Sequence, residues 1–259
     1  MDKNELSTLH DLASLGHIYA IDKLVKHYLD VKDYKNAFLV ASRYEFFSSS
    51  DGFRTLGYFY QKGIGVEPNT EKAYKYYLKS YELGDYSSGY SLALIHYKKK
   101  EYNFSLSYLI NGTENNHISS IKLLANMYLN GEGVMKNSDI AINLFKKAIN
   151  LGDETSIDSL ARLYYSLGDY SNSFKYFSIG ASHNIPDSIY HLGLSYAKGL
   201  GTKQDFVKAK KYYEIGANLL EPRCLYNLSL YYRKGIVVMQ NEELANKLES
   251  QAIENGFKK

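Results

Sequence analysis

The chain has 259 residues, with 31 Lys and Arg against 28 Asp and Glu, a formal charge of +3 that is too weak to argue for nucleic acid by itself. One cysteine, Cys224, excludes an intramolecular disulfide and any multi-cysteine zinc site. No stretch approaches the roughly 20 apolar residues that span a bilayer, and the start, MDKNELSTLHDLASLG, holds no apolar run of signal-peptide length, so no membrane insertion and a cytoplasmic location are expected.

Only 3 Pro favour a mostly helical chain, and 27 Tyr without a single Trp demand an explanation. The first predicted element is a helix over about Lys3 to Leu15, which would cap the front of the array (residues 1–15). From about Gly16 to Gly256 the chain repeats itself. A ladder of Tyr28, Tyr60, His96, Tyr128, Tyr164, Tyr196 and Tyr232 has spacings that alternate between 32 and 36 residues. Four residues before each rung stands Leu24, Leu56, Leu92, Leu124, Leu160, Leu192 or Leu228. Eight before stands a small residue: Ala20, Gly52, Ser88, Ser120, Ser156, Ser188 or Cys224. Spacings of four put all three on one helical face, the first helix (A) of each repeat.

A second ladder, Ala37, Ala73, Ser105, Ala141, Ser173, Ala209 and Ala245, marks a second helix (B). Four residues before each stands Asp33, Asn69, Glu101, Asn137, Asp169, Asp205 or Asn241; all but Glu101 are favoured N-cap types. Eleven after each stands Ser48, Gly84, Asn116, Gly152, Asn184, Leu220 or Gly256, mostly residues that tolerate the left-handed conformation ending a helix. Seven after, Ser80, Gly112, Ala148, Gly180, Gly216 and Ala252 are small enough for close helix approach.

The two periods have one cause. KGIGVEPN at Lys62, NGEGVMKN at Asn130 and KGLGTKQD at Lys198 insert four residues between helix A and helix B; KGIVVMQN at Lys234 is a weaker copy with Val237 in place of the second glycine. A phosphate loop is used once per site and follows a strand; several evenly spaced copies with no strand before them read instead as inter-helix links. Most tyrosines are then packing rungs. The fold class is all-α: about seven antiparallel helix pairs in a single repeat domain, residues 1–259, alternating short-turn and glycine-loop units.

The pattern small-x3-Leu-(Gly/Ala)-x2-Tyr-x2-Gly-x-Gly followed by Lys-Ala-x2-Tyr-Tyr resembles the Sel-1-like repeat family, relatives of the tetratricopeptide repeats. Gly52, Leu56, Gly57, Tyr60, Gly63, Gly65, Lys72, Ala73, Tyr76 and Tyr77 carry it in the second repeat, and the fourth and sixth follow closely. The resemblance implies a right-handed α/α superhelix with helix A lining the concave side, and a scaffold or adaptor that gathers protein partners. Many secreted members staple each repeat with a cysteine pair; this chain has none, which agrees with a reducing compartment.

The same resemblance places positions six and two residues before each tyrosine rung on the concave face. The first row reads Asp22, Arg54, Tyr90, Lys122, Asp158, Tyr190 and Tyr226; the second reads Lys26, Tyr58, Leu94, Asn126, Arg162, Leu194 and Leu230. Arginine can fork onto carboxylates and tyrosine anchors interfaces. The expected partner-binding residues are therefore Lys26, Arg54, Tyr58, Tyr90, Lys122, Asn126, Arg162, Tyr190 and Tyr226, with an acidic peptide or helix as a candidate ligand for Lys26, Arg54, Lys122 and Arg162. A bacterial immunity protein that blocks a toxin is the alternative.

Two other classes fare worse. None of the seven histidines forms H-E-x-x-H or pairs at i, i+4 with histidine or cysteine, and no nucleophile–base–orienter set can be assembled, so no catalytic residue, metal or cofactor is expected. His96 takes a tyrosine rung as a packing residue, and a base there would need a carboxylate in reach. Cys224 takes a small-residue rung as an inert thiol. Lys98 to Lys100 and the KAKKYY run at Lys208 read as solvated faces, not as a phosphate track.

Overall fold

The computed structural model describes residues 1–47 and 49–258. Among these residues the chain forms fifteen α-helices, one short 3-10 helix and no strand. They fall into two compact bodies, Met1–Met135 and Lys136–Lys259. The first holds α1 (Lys3–Ser14), α2 (Ile18–Asp30), α3 (Tyr34–Ala41), α4 (Ser50–Lys62), α5 (Thr70–Glu82), α6 (Tyr86–Lys98), α7 (Tyr102–Glu114) and α8 (Ile118–Asn130). The second holds α9 (Ser138–Asn150), α10 (Thr155–Ser166), α11 (Tyr170–Ser182), α12 (Pro186–Lys198), α13 (Phe206–Asn218), α14 (Pro222–Lys234) and α15 (Glu242–Glu254). Within each body every helix packs on the next in sequence. From α2 onward the even-numbered helices are helix A of a repeat, and the odd-numbered ones helix B.

The ladders are the core. All seven leucine rungs and all seven small rungs are buried, as are the alanine and serine rungs of helix B from Ala37 to Ala245. Each buried leucine contributes roughly 1.5–3 kcal/mol relative to an exposed one, so the periodic set is the main stabilising term of each repeat. Three of the tyrosine rungs stack on the second helix: Tyr60 on Tyr76, Tyr164 on Tyr176 and Tyr196 on Tyr212 lie within 5.6–5.7 Å and nearly parallel.

Six of the seven N-cap side chains accept the backbone N–H three residues on, from Asp33 to Asn241; Glu101 does not. At the other end of helix B the chain takes a positive φ at Gly84, Asn116, Gly152, Asn184, Leu220 and Gly256. The expected helix end at Ser48 lies outside the described residues.

Both kinds of link close the same hydrogen bond. The cap residue's N–H reaches the carbonyl of the tyrosine rung across a short turn (Asp33 to Tyr28, Glu101 to His96, Asp169 to Tyr164). It does so equally across a glycine loop (Asn69 to Tyr60, Asp205 to Tyr196, Asn241 to Tyr232), at 2.8–3.0 Å throughout. The extra four residues bulge out between two fixed points. Gly63 ends α4 with φ 70°, and its N–H and that of Ile64 bond Phe59, so these amides serve the preceding helix.

One rung breaks the size rule. Tyr44 stands where the other repeats carry a small residue, seven positions after Ala37, and its ring sits where a β-carbon on Gly52 would be, 2.6 Å from the ring's Cγ. Elsewhere the same i, i+8 pairs are small on both sides: Ser80 with Ser88, Gly112 with Ser120, Gly180 with Ser188, Gly216 with Cys224. The bulk of Tyr44 coincides with the early end of α3 at Ala41 and a switch to 3-10 helix over Ser42–Phe46.

Candidate functional site

Four of the nine expected residues meet in one place. Lys26 on α2, Arg54 and Tyr58 on α4, and Tyr90 on α6 line a groove of about 660 Å³ in the N-terminal body, together with Asp22, Asp30, Tyr44, Tyr77, His117 and Ser119. Successive A helices supply this wall because their leucine and small rungs turn inward, leaving the positions six and two before the tyrosine outside the core. Tyr58 is 46% exposed. Lys122 and Asn126 lie further along α8 and do not line the groove. Arg162, Tyr190 and Tyr226 belong to the C-terminal body.

The electrostatics of the groove differ from the expectation of a basic row. Arg54 is 3.0 Å from Asp85 and also pairs with Asp51, so its fork is already occupied by carboxylates of its own chain. Burial works against ionisation of Asp85, but the Ser88 hydroxyl and the Arg54 guanidinium outweigh it and hold its carboxyl below the usual range. On the groove wall, burial and the Asp22 carboxylate, which accepts from the Tyr44 hydroxyl, push that hydroxyl's pKa up. Burial alone raises Tyr90. His117 is held below its ordinary value by burial, against the pull of Asp85, and is neutral at pH 7.

The equivalent residues of the C-terminal body satisfy each other. Arg162 pairs with Asp158 at 2.8 Å and with Asp187, and Arg223 pairs with Asp187 and with Glu221 at 2.7 Å. The Arg223 guanidinium lies 4.2 Å from the ring centre of Tyr190, and Tyr226 stacks on Phe257 at 4.2 Å. Burial and the charge of Asp187 raise Asp158. In Asp187 burial is outweighed by the hydrogen bond from Arg223 and by both arginine charges, and its carboxyl stays low. The two pairings with Asp187, 25 residues from Arg162 and 36 from Arg223, join neighbouring repeats, a distance at which sequence spacing gave no signal.

The histidine and cysteine expectations resolve by burial. His96 packs against Phe104, Tyr108 and Tyr74 at 5.2–6.0 Å, as a rung should. A carboxylate is in reach: Glu101, the one helix B N-cap position whose side chain does not cap, bonds its Nδ1 at 2.7 Å. The other ring nitrogen is buried, so neither is open to a substrate. Cys224 is buried, and burial, then Glu221, pushes its thiol up, away from the reactive thiolate. Lys98, Lys99 and Lys100 are exposed, while Lys208 and Lys210 pair with Asp205 and Glu214 on or beside their own helix. Among the described residues no helix is long and apolar enough to cross a membrane.

The family model of the Sel1 repeat matches residues 56–85, 119–153, 186–219 and 222–257. A sel1-like repeat-containing protein of Acanthamoeba polyphaga mimivirus is 30% identical over 118 residues, which is 46% of this chain and 22% of that protein. Among solved structures, a protective antigen of uropathogenic Escherichia coli described as displaying an SLR fold superposes with a TM-score of 0.76 at 21% identity, covering 96% of this chain and 58% of the other. A Sel1 repeat protein from Oxalobacter formigenes superposes with a TM-score of 0.73 at 22% identity, covering 90% and 99%. The chain thus spans under a quarter of the mimivirus protein and a little over half of the E. coli one. The all-helical repeat fold is that of these SLR solenoids.

Proposed function

Because the chain belongs to the Sel1 repeat family, whose solenoids are generally protein-interaction scaffolds, we propose that it is such a scaffold and that its N-terminal groove receives a segment of a partner protein. One observation carries this reading: the N-terminal body leaves open a groove lined by Lys26, Tyr58 and Tyr90, where the C-terminal body fills the matching positions with its own side chains. Open concave walls of repeat arrays are the surfaces on which such proteins hold extended ligands. Tyrosine supplies amphipathic contact area at low entropic cost, and Tyr58 presents it to solvent. No catalytic set accompanies the groove in this reading.

Selection of displayed peptides on the full chain tests it. Peptides retained by the wild type should be lost by Tyr58→Ala and by Tyr90→Ala, and kept by Lys75→Ala on the exposed face of α5. If Lys75→Ala abolishes retention and the two tyrosine variants do not, the partner surface lies elsewhere.

A further inference from the structure

We propose that the N-terminal groove recognises an arginine-bearing, cationic segment of its protein partner, seated on Tyr90 and held by the surrounding carboxylates. This rests on the groove being the partner surface and adds the chemistry of what enters it.

The charge balance is the first argument. Lys26 and Arg54 are the cations of the groove wall; Asp22 and Asp30 line it, and Asp51 and Asp85 already hold Arg54. Four carboxylates against two cations leave this region at a formal charge of −2, in a chain whose total is +3. Asp22 and Asp30 are both exposed. His117 is neutral and adds no positive charge to the wall. An acidic peptide would meet this surface with like charge, whereas a guanidinium or ammonium would meet complementary charge.

The second argument is an internal precedent. Tyr190, six residues before its rung, is covered by the guanidinium of Arg223 from the next repeat, itself bonded to Asp187 and Glu221. Tyr90 holds the same register in the third repeat. The position that supplies Arg223 in the seventh repeat, nine before the rung, is Ser119 in the fourth, and Ser119 lines the groove beside Tyr90. The groove offers over Tyr90 part of the arrangement that the chain displays over Tyr190: an aromatic face and a short hydroxyl where the arginine would be. The registers of Asp187 and Glu221 are held there by Ser87 and by His117, whose ring lies 5.8 Å from that of Tyr90, so the lining carboxylates are Asp22 and Asp30 of α2 instead. Guanidinium groups stack on tyrosine rings and fork onto carboxylates, a pairing that lysine reproduces less well.

Fluorescence anisotropy with short labelled peptides, one rich in arginine, one rich in glutamate and one uncharged, tests this on the full chain. The arginine peptide should bind most tightly and weaken as salt is raised. Asp30→Asn should weaken it about threefold. Ser119→Arg, which supplies the missing guanidinium from within, should weaken it about tenfold or more, and Ser119→Gln, a long neutral side chain at the same place, should weaken it less. If the glutamate or the uncharged peptide binds as well and is lost on Tyr58→Ala, the cationic assignment falls while the groove remains the partner surface. If arginine-peptide binding ignores Tyr58→Ala, Asp30→Asn and Ser119→Arg alike, the groove assignment falls with it.

Discussion

Gly63 and Gly65 share one backbone conformation, φ 70° and 66°, yet the structure gives them different duties. A β-carbon at Gly65 would lie 2.5 Å from the carbonyl carbon of Tyr34 and 3.0 Å from the Lys35 nitrogen, with the Tyr34 oxygen closer still. These are backbone atoms at the start of α3 and cannot swing aside. At Gly63 the nearest atom is the Pro68 ring carbon, 2.7 Å away, on a loop that can give. At Gly84, φ 89°, nothing lies within 4 Å. Alanine in the left-handed region costs about 1–2 kcal/mol, and the reduced freedom of the unfolded chain returns about 0.4–1 kcal/mol. Gly84→Ala should therefore destabilise by about 1 kcal/mol, and Gly63→Ala by slightly more. Gly65→Ala adds an overpacking cost of about 1–3 kcal/mol against the previous repeat, so it should exceed Gly84→Ala by about 2 kcal/mol. Urea unfolding of the three variants, followed by helical circular dichroism, reads the difference. Equal losses at Gly65 and Gly84 would refute the claim that the second loop glycine exists to let one repeat close on the next.

Leu220 carries φ 57° at the register where Asn116 and Asn184 stand in other repeats, so Leu220→Asn should stabilise the chain by up to about 1 kcal/mol in urea unfolding. Asn137 accepts the Ile140 N–H at 3.0 Å, and Asn137→Ala should cost about 1 kcal/mol by the same assay. His191, stacked on Phe177 at 4.6 Å, is pushed down to about 4, chiefly by burial, with Arg223 and Arg162 adding to the depression and Asp187 opposing it. Because the folded chain keeps this ring neutral, the unfolded chain binds the extra proton between pH 6.5 and about 4; stability is full above 6.5 and falls as pH drops through that window. From pH 7 to 5 the loss should reach about 2 kcal/mol, and His191→Phe should abolish that part of the pH dependence.

The repeats were legible because packing is periodic. Leucine and small rungs at spacings of four, N-caps at a fixed offset and left-handed helix ends recur, and among the described residues the structure keeps these registers, with Glu101 the one N-cap exception. Even the exception was visible: Glu101 is the one unfavoured N-cap type, and it is the one that turns to His96 instead. Charge was not legible. Arg54 reads as a free concave cation until Asp85, 31 residues on, is found holding it, and Arg162 until Asp187 is. Those pairings depend on side-chain reach between neighbouring repeats, which no periodic pattern encodes. They change the groove from the expected basic row to one whose two cations, Lys26 and Arg54, stand among four carboxylates, two on its wall and two holding Arg54.

The central claim is that the groove of Lys26, Tyr58 and Tyr90 is where a partner docks, and site-specific photo-crosslinking tests it most directly. A photoreactive phenylalanine at Tyr58 should form one discrete protein adduct in the cells that make this chain, and an unlabelled arginine-rich peptide added to their extract should suppress it. The same probe at Lys75 should form none. An equal adduct from Lys75, or an adduct at Tyr58 that the peptide leaves untouched, would contradict the account.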